Sequence, residues 1–128
     1  MLVALAGPIS NFIQSIVWFF VYGALATFAP LDNYAVATIT LMVFYAAFIN
    51  LSLGVFNLIP LPPLDGSKIL RYFVHGKGRE ILYTLERYST LILLALFMSN
   101  LTSKIISPII NWIANSMLWI VELFYGLF

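Results

Sequence analysis

Two long apolar runs dominate this chain, and the polar residues that break them fall at a few defined places. No Asp, Glu, Lys or Arg occurs from Met1 to Leu31, and none from Asn33 to Leu64. A helix needs about 20 apolar residues to cross a bilayer core ~30 Å thick. Each run therefore predicts one spanning helix, over 9–29 and over 34–58. Ala29, Pro30, Leu31, Asp32 and Asn33 supply the turn chemistry between them. Pro8 is expected in the first turn of the first helix, where its missing N–H costs nothing. A polar segment follows, with a loop over 65–82. A third span is expected over 83–101. A fourth helix over 105–125 either spans or lies in the interface, because Pro108, Asn111, Asn115 and Glu122 interrupt its apolar pattern. The fold class predicted is an all-α membrane protein. Its 128 residues form a single transmembrane domain, a bundle of three to four transmembrane helices.

Composition agrees with the pattern and removes several functions. The chain is 62% hydrophobic and 9% charged, more apolar than a soluble domain of this size can hide. The bilayer is thus its first partner. A net charge of +1 gives no reason to expect nucleic acid, and the absence of cysteine excludes disulfides and thiolate metal sites. The single histidine, His75, excludes any site that needs two histidines from this chain alone. Lys68, Arg71, Lys77, Arg79 and Arg87 crowd one segment, while the opposite turn carries only Asp32. The positive-inside rule therefore places residues 65–87 on the cytoplasmic side and Lys104 on the other.

Polar side chains within the spans need partners. Asn11, Gln14 and Ser15 share one face of the first span, continued by Trp18 and Tyr22. Asn50 and Asn57 are nearly aligned on the second. Both stripes are expected to face protein, either as glue between helices or as part of a site. Glu80 and Glu86, beside Arg79 and Arg87, read as surface charges.

Residues 57–67, N-L-I-P-L-P-P-L-D-G-S, carry the candidate chemistry. Pro60, Pro62 and Pro63 remove three backbone donors and forbid a continuous helix. They push their predecessors toward extended backbone, so a proline-rich extended segment is expected before the Asp-Gly pair. Such backbone survives at membrane depth only where protein buries it or a polar cavity hydrates it. Ile69, Leu70, Phe73 and Val74 then recur at helical spacing. Asp65 can be the N-cap of that helix. It can equally be a carboxylate at the rim of an intramembrane cavity, serving as a metal ligand or proton carrier.

The ten residues from Asn57 to Gly66 closely resemble the N-x-x-P-x-P-x-x-D-G signature of the site-2 protease family, which are intramembrane zinc metallopeptidases. Residues 6–11, A-G-P-I-S-N, resemble the A-G-P-x-x-N element that these proteins carry shortly after their H-E-x-x-H helix. The two motifs stand in the family's order, separated by a hairpin of spans. The resemblance implies that Asp65 supplies the third zinc ligand, and that Asn57 positions substrate or stabilises the oxyanion. Gly66 would permit a tight turn beside the metal. Pro60, Pro62 and Pro63 would line the place where a substrate helix unwinds, and Gly7, Pro8 and Asn11 would be structural at the site. It implies Zn²⁺ as cofactor and a membrane protein or peptide as substrate. The absence of long soluble insertions is similar to the compact prokaryotic members, which implies a prokaryotic cytoplasmic membrane.

The H-E-x-x-H motif itself does not occur in these residues. Its two histidines would be the other zinc ligands and its glutamate the general base. His75 lies ten residues beyond Asp65 in a basic, glycine-flanked loop and reads as solvated. The resemblance places the missing helix upstream of Met1 and implies a C-terminal part of a protease, unable to do the chemistry alone. The alternatives are a noncatalytic membrane scaffold of the same fold, or a small membrane transport subunit using Asp65 as an ion site. No G-x-x-x-G motif marks a dimer face.

Overall fold

The computed structural model describes residues 2–100 and 102–126, and among them the regular structure is helical throughout. Six α-helices follow one another: α1 Leu2–Phe28, α2 Tyr34–Asn57, α3 Asp65–Phe73, α4 Lys77–Arg87, α5 Ser89–Met98 and α6 Ser107–Tyr125. A five-residue π-helical turn, Thr102–Ile106, leads into α6. Met1, Leu101, Leu127 and Phe128, the ends of the expected domain and of the expected third span, lie outside the described residues. Three helical stretches are long and apolar enough to cross a membrane: Ala4–Phe28, Tyr34–Asn57 and Ser103–Tyr125. The chain is an all-α membrane bundle.

Apolar content cannot select the inward face of a helix in lipid, where tails are as apolar as leucine. Close packing of small and well-fitting side chains does so instead. On α1 the buried positions are Ala4, Pro8, Ser15, Phe19 and Gly23, one stripe at helical spacing, while Ile9, Ile13, Val17 and Val21 point outward. Thr40, Ala47, Leu51 and Gly54 form the matching stripe of α2. Ile106 of the π-helical turn and Ile110, Ala114 and Val121 of α6 complete the core. The helices meet at glycines. The Phe12 ring of α1 lies over Gly54 of α2, 3.2 Å from where a Cβ would stand. Gly23 of α1 accepts Val121 and Tyr125 of α6 in the same way. Tyr125 also donates its hydroxyl hydrogen to the Phe20 carbonyl at 3.0 Å, so α6 is a bundle helix packed along α1.

Several expectations change. Helix α1 is already regular at Leu2, so Pro8 sits in its second turn. There it deprives the Ala4 carbonyl of its usual donor. Of the α1 polar stripe only Ser15 is buried; Asn11 is half-buried and Gln14 exposed. Gln14 stands about 100° from Ser15 around the helix, off the packed stripe. Asn50 satisfies itself by donating to the Ala46 carbonyl of its own helix at 2.8 Å. Within the expected third span, residues 83–98 do not form one straight helix. They fall on α4 and α5, which are bent by 70° at Tyr88. The reason is composition. Helix α4 carries Lys77, Arg79, Glu80, Glu86 and Arg87, and the ten residues of α5 reach only ~15 Å. Glu86 is exposed, as expected of a surface charge, and has a partner across the hairpin. Arg71 of α3 donates to it at 2.6 Å and covers the Tyr83 ring at 5.5 Å, fastening α3 to α4.

Between α2 and α3 the proline segment contains two tight turns, and Leu64 at its end is extended. Leu61 N–H donates to the Ile59 carbonyl at 2.8 Å, and Leu64 N–H to the Leu61 carbonyl at 2.9 Å. The prolines lack donors, so the residues between them supply the bonds that fold the segment back. Pro62 is buried, while Pro60 and Pro63 are exposed. The fold-back delivers Gly66 onto the carbonyls of Leu58 and Ile59, where a Cβ would collide with backbone oxygens. Gly76, by contrast, has φ of 60° and open space around it. Gly66→Ala is therefore expected to destabilise the protein by roughly 1–3 kcal/mol through forced backbone displacement. Gly76→Ala is expected to cost about 1–2 kcal/mol through left-handed backbone alone and to leave the α2–α3 junction intact. Thermal unfolding in detergent micelles, with proteolysis across residues 58–66 as the local readout, separates the two. Equal protection of that segment in both variants would contradict the assignment.

Candidate functional site

The two sequence motifs meet in space at Asp65. This residue is the first of α3; Leu64 precedes it in extended backbone as the cap and provides no side-chain bond. Asp65 is thus not the N-cap. It sits within the first turn, where the helix dipole favours a carboxylate, and Ser67 closes that turn by donating its hydroxyl hydrogen to the Leu64 carbonyl at 2.8 Å. One carboxylate oxygen, Oδ1, accepts from Lys68 Nζ at 2.7 Å. The other, Oδ2, faces Gly7 of α1, 2.9 Å from where a Cβ would be. Gly7 therefore leaves room for the Asp65 carboxylate. Pro8, next to it, is buried in the same wall, and Asn11 is half-buried one turn on.

Asn57 ends α2 and is half-buried. It immediately precedes Leu58, whose carbonyl lies against Gly66, and Gly66 immediately follows Asp65. The two polar ends of the motif thus converge through backbone contact. Gly66 serves this approach and not an unusual turn, since the positive-φ residues among those described are Asn100 and Gly76. Pro62 is packed beneath the junction, with Pro60 and Pro63 on its surface.

Other candidates stay away. His75 lies beyond the far end of α3, about 12 Å of helix from Asp65. It is exposed, with Nδ1 3.2 Å from the Phe73 carbonyl. Among the described residues no group of three His, Cys, Asp or Glu side chains could hold a metal. The residues present therefore do not by themselves fit zinc: Asp65 offers one donor, and a stable tetrahedral site needs more. Lys68 is the site residue that motif reading overlooked. Its signal was the three-residue spacing from Asp65 on a helix. The exposed pair is worth at most about 1 kcal/mol, so its effect is to orient the carboxylate.

Comparison with known proteins gives a consistent result. YwhC of Bacillus subtilis (strain 168), assigned by name to the zinc metalloproteases, is 34% identical over 129 residues, covering 99% of this chain and 57% of YwhC. The protein spr0242 of Streptococcus pneumoniae (strain ATCC BAA-255 / R6), assigned by name to the same class, is 36% identical over 54% of this chain and 17% of its own. The Regulator of sigma-W protease RasP of Bacillus subtilis (strain 168) is 33% identical over 46% of this chain and 14% of its own. The chain thus spans little more than half the length of YwhC and a smaller share of the others. No solved structure matches it. The profile of Peptidase family M50 matches residues 21–100, and the chain, an integral membrane protein, belongs to Peptidase family M50, the site-2 protease family.

Proposed function

We propose that this chain forms part of a site-2-type intramembrane zinc metalloprotease that hydrolyses peptide bonds in membrane-embedded proteins or peptides. The observation that carries the reading is the placement of the Asp65 carboxylate against Gly7, where two motifs distant in sequence meet. In this reading Asp65 contributes one zinc ligand, and the remaining two ligands and the general base come from outside these 128 residues. The donor set supports that division, because among the described residues no group of three His, Cys, Asp or Glu side chains could hold a metal. The relatives are also longer than the stretch they share with this chain. Bound zinc would supply Lewis acidity at the scissile carbonyl.

The chain's own residues then bind and orient. Asn57, half-buried at the end of α2, donates its side-chain N–H to the substrate carbonyl and to the negative charge that develops there. Lys68 holds one carboxylate oxygen and leaves the other toward α1. The turns of residues 58–64 keep backbone non-helical beside the site, a form in which carbonyls and N–H groups can pair with an unwound substrate. The cluster of Lys68, Arg71, Lys77, Arg79 and Arg87 supports a cytoplasmic position for the loop 65–82, and the bacterial source of the relatives supports the cytoplasmic membrane of a prokaryote.

The test uses the natural protein together with whatever sequence flanks these residues, purified in micelles, with zinc content and cleavage of a transmembrane substrate both measured. Asp65→Ala is expected to lose zinc and cleavage together. Asn57→Ala is expected to keep zinc and to lower cleavage roughly 100-fold, the usual cost of one oxyanion donor. An Asp65→Ala protein that keeps both zinc and cleavage would contradict the proposal. A wild-type protein that neither binds zinc nor cleaves would favour a noncatalytic scaffold. Gly7→Ala, which places a methyl group 2.9 Å from Asp65 Oδ2, is expected to reduce zinc content while helix content by circular dichroism stays unchanged.

A further inference from the structure

Away from Asp65, the hairpin of α3 and α4 encloses a basic pocket that the proteolytic reading does not use. Its volume is about 440 Å³, and Lys68, Arg71, Tyr72, His75, Arg79 and Tyr83 line it. Two of the cations are already engaged: Lys68 pairs with Asp65 and Arg71 with Glu86. Arg79 differs. Its Nε donates to the Val74 carbonyl at 3.2 Å, which fixes the guanidinium plane, and no carboxylate among the described residues pairs with its two terminal nitrogens. A held guanidinium with free donors is suited to the oxygens of a phosphate.

The surroundings decide which phosphate. Tyr72, Phe73, Ile81 and Tyr83 are exposed on the same hairpin. The hairpin joins the end of the α2 span to α5, so it lies where a bilayer's headgroups begin. Exposed aromatic and apolar side chains beside cations are the chemistry of an interfacial helix pair, which buries the former among acyl chains and presents the latter to anionic headgroups. A soluble phosphate compound would give those apolar side chains nothing to cover them. We propose that this pocket binds the phosphate of an anionic phospholipid, with Arg79 as its principal donor, assisted by the hydroxyls of Tyr72 and Tyr83. The proposal is independent of zinc or proteolysis.

Lys77 provides an internal control. It belongs to the same hairpin but lines a separate hollow with Glu80, Ile81, Thr84 and Leu85. The experiment is native mass spectrometry of the purified protein in micelles, titrated with phosphatidylglycerol or phosphatidylcholine. Phosphatidylglycerol is expected to be retained in preference to phosphatidylcholine. Arg79→Gln is expected to weaken that retention roughly tenfold or more, as loss of a charge-assisted bond does. Lys77→Gln, an equal loss of charge, is expected to change it by less than about twofold because its charge is solvated and screened. Should Arg79→Gln misfold, Arg79→Lys keeps the charge without the fork, and an intermediate loss is expected. Equal retention of the two lipids, or equal losses in Arg79→Gln and Lys77→Gln, would overturn the proposal. So would displacement of phosphatidylglycerol by an equal concentration of inorganic phosphate, which would indicate a site for a soluble anion.

Discussion

The backbone of Gly66 rests on the carbonyls of Leu58 and Ile59 with no side chain between them, and most of the site's geometry depends on that contact. It holds the start of α3 against the end of α2. A residue with a Cβ would push α3 away, and Asp65 with it. Gly7 performs the complementary task on α1, where the missing side chain leaves space for Asp65 Oδ2. The carboxylate is thus located by two absences, one on each side. The prolines contribute by forbidding a continuation of α2, after which the turns at residues 59–64 bring the chain back on itself.

Glycine has the same use elsewhere in the bundle. Gly54 receives Phe12, and Gly23 receives Val121 and Tyr125. In a bilayer, helices gain little by hiding apolar surface from a solvent that is itself apolar, so close approach and van der Waals contact set the packing. This explains why many large apolar side chains face outward while Ser15 and Thr40 are buried. Ser15 sits on the packed stripe of α1 because it is small, and Gln14 beside it does not.

Much of this was legible in the sequence. Two uncharged runs of membrane length gave the hairpin of α1 and α2 directly, and the ordered motifs around Gly7 and Asp65 pointed to the family. The third span was not legible in its final form. Among the described residues it falls on two helices, α4 and α5, bent by 70° at Tyr88. The partner of Glu86 was hidden because Arg71 lies fifteen residues away, whereas Arg87 is its neighbour in sequence. Extended backbone was expected before the prolines from local sterics. The structure adds turns in which the N–H groups of Leu61 and Leu64 are paired, while Leu64 itself is extended. Which face of α1 meets Asp65 required the fold itself.

Helix α1 at Gly7 and α3 at Asp65 are in contact. The chain contains no cysteine, so a pair of introduced thiols reports on that contact without background. Gly7→Cys combined with Asp65→Cys should form an intramolecular disulfide under mild oxidation, read as a loss of alkylatable thiols by mass spectrometry. Gly7→Cys combined with His75→Cys, at the far end of α3, should remain reduced. Failure of the first pair to cross-link, or cross-linking of the second as readily as the first, would contradict the contact on which the site is built.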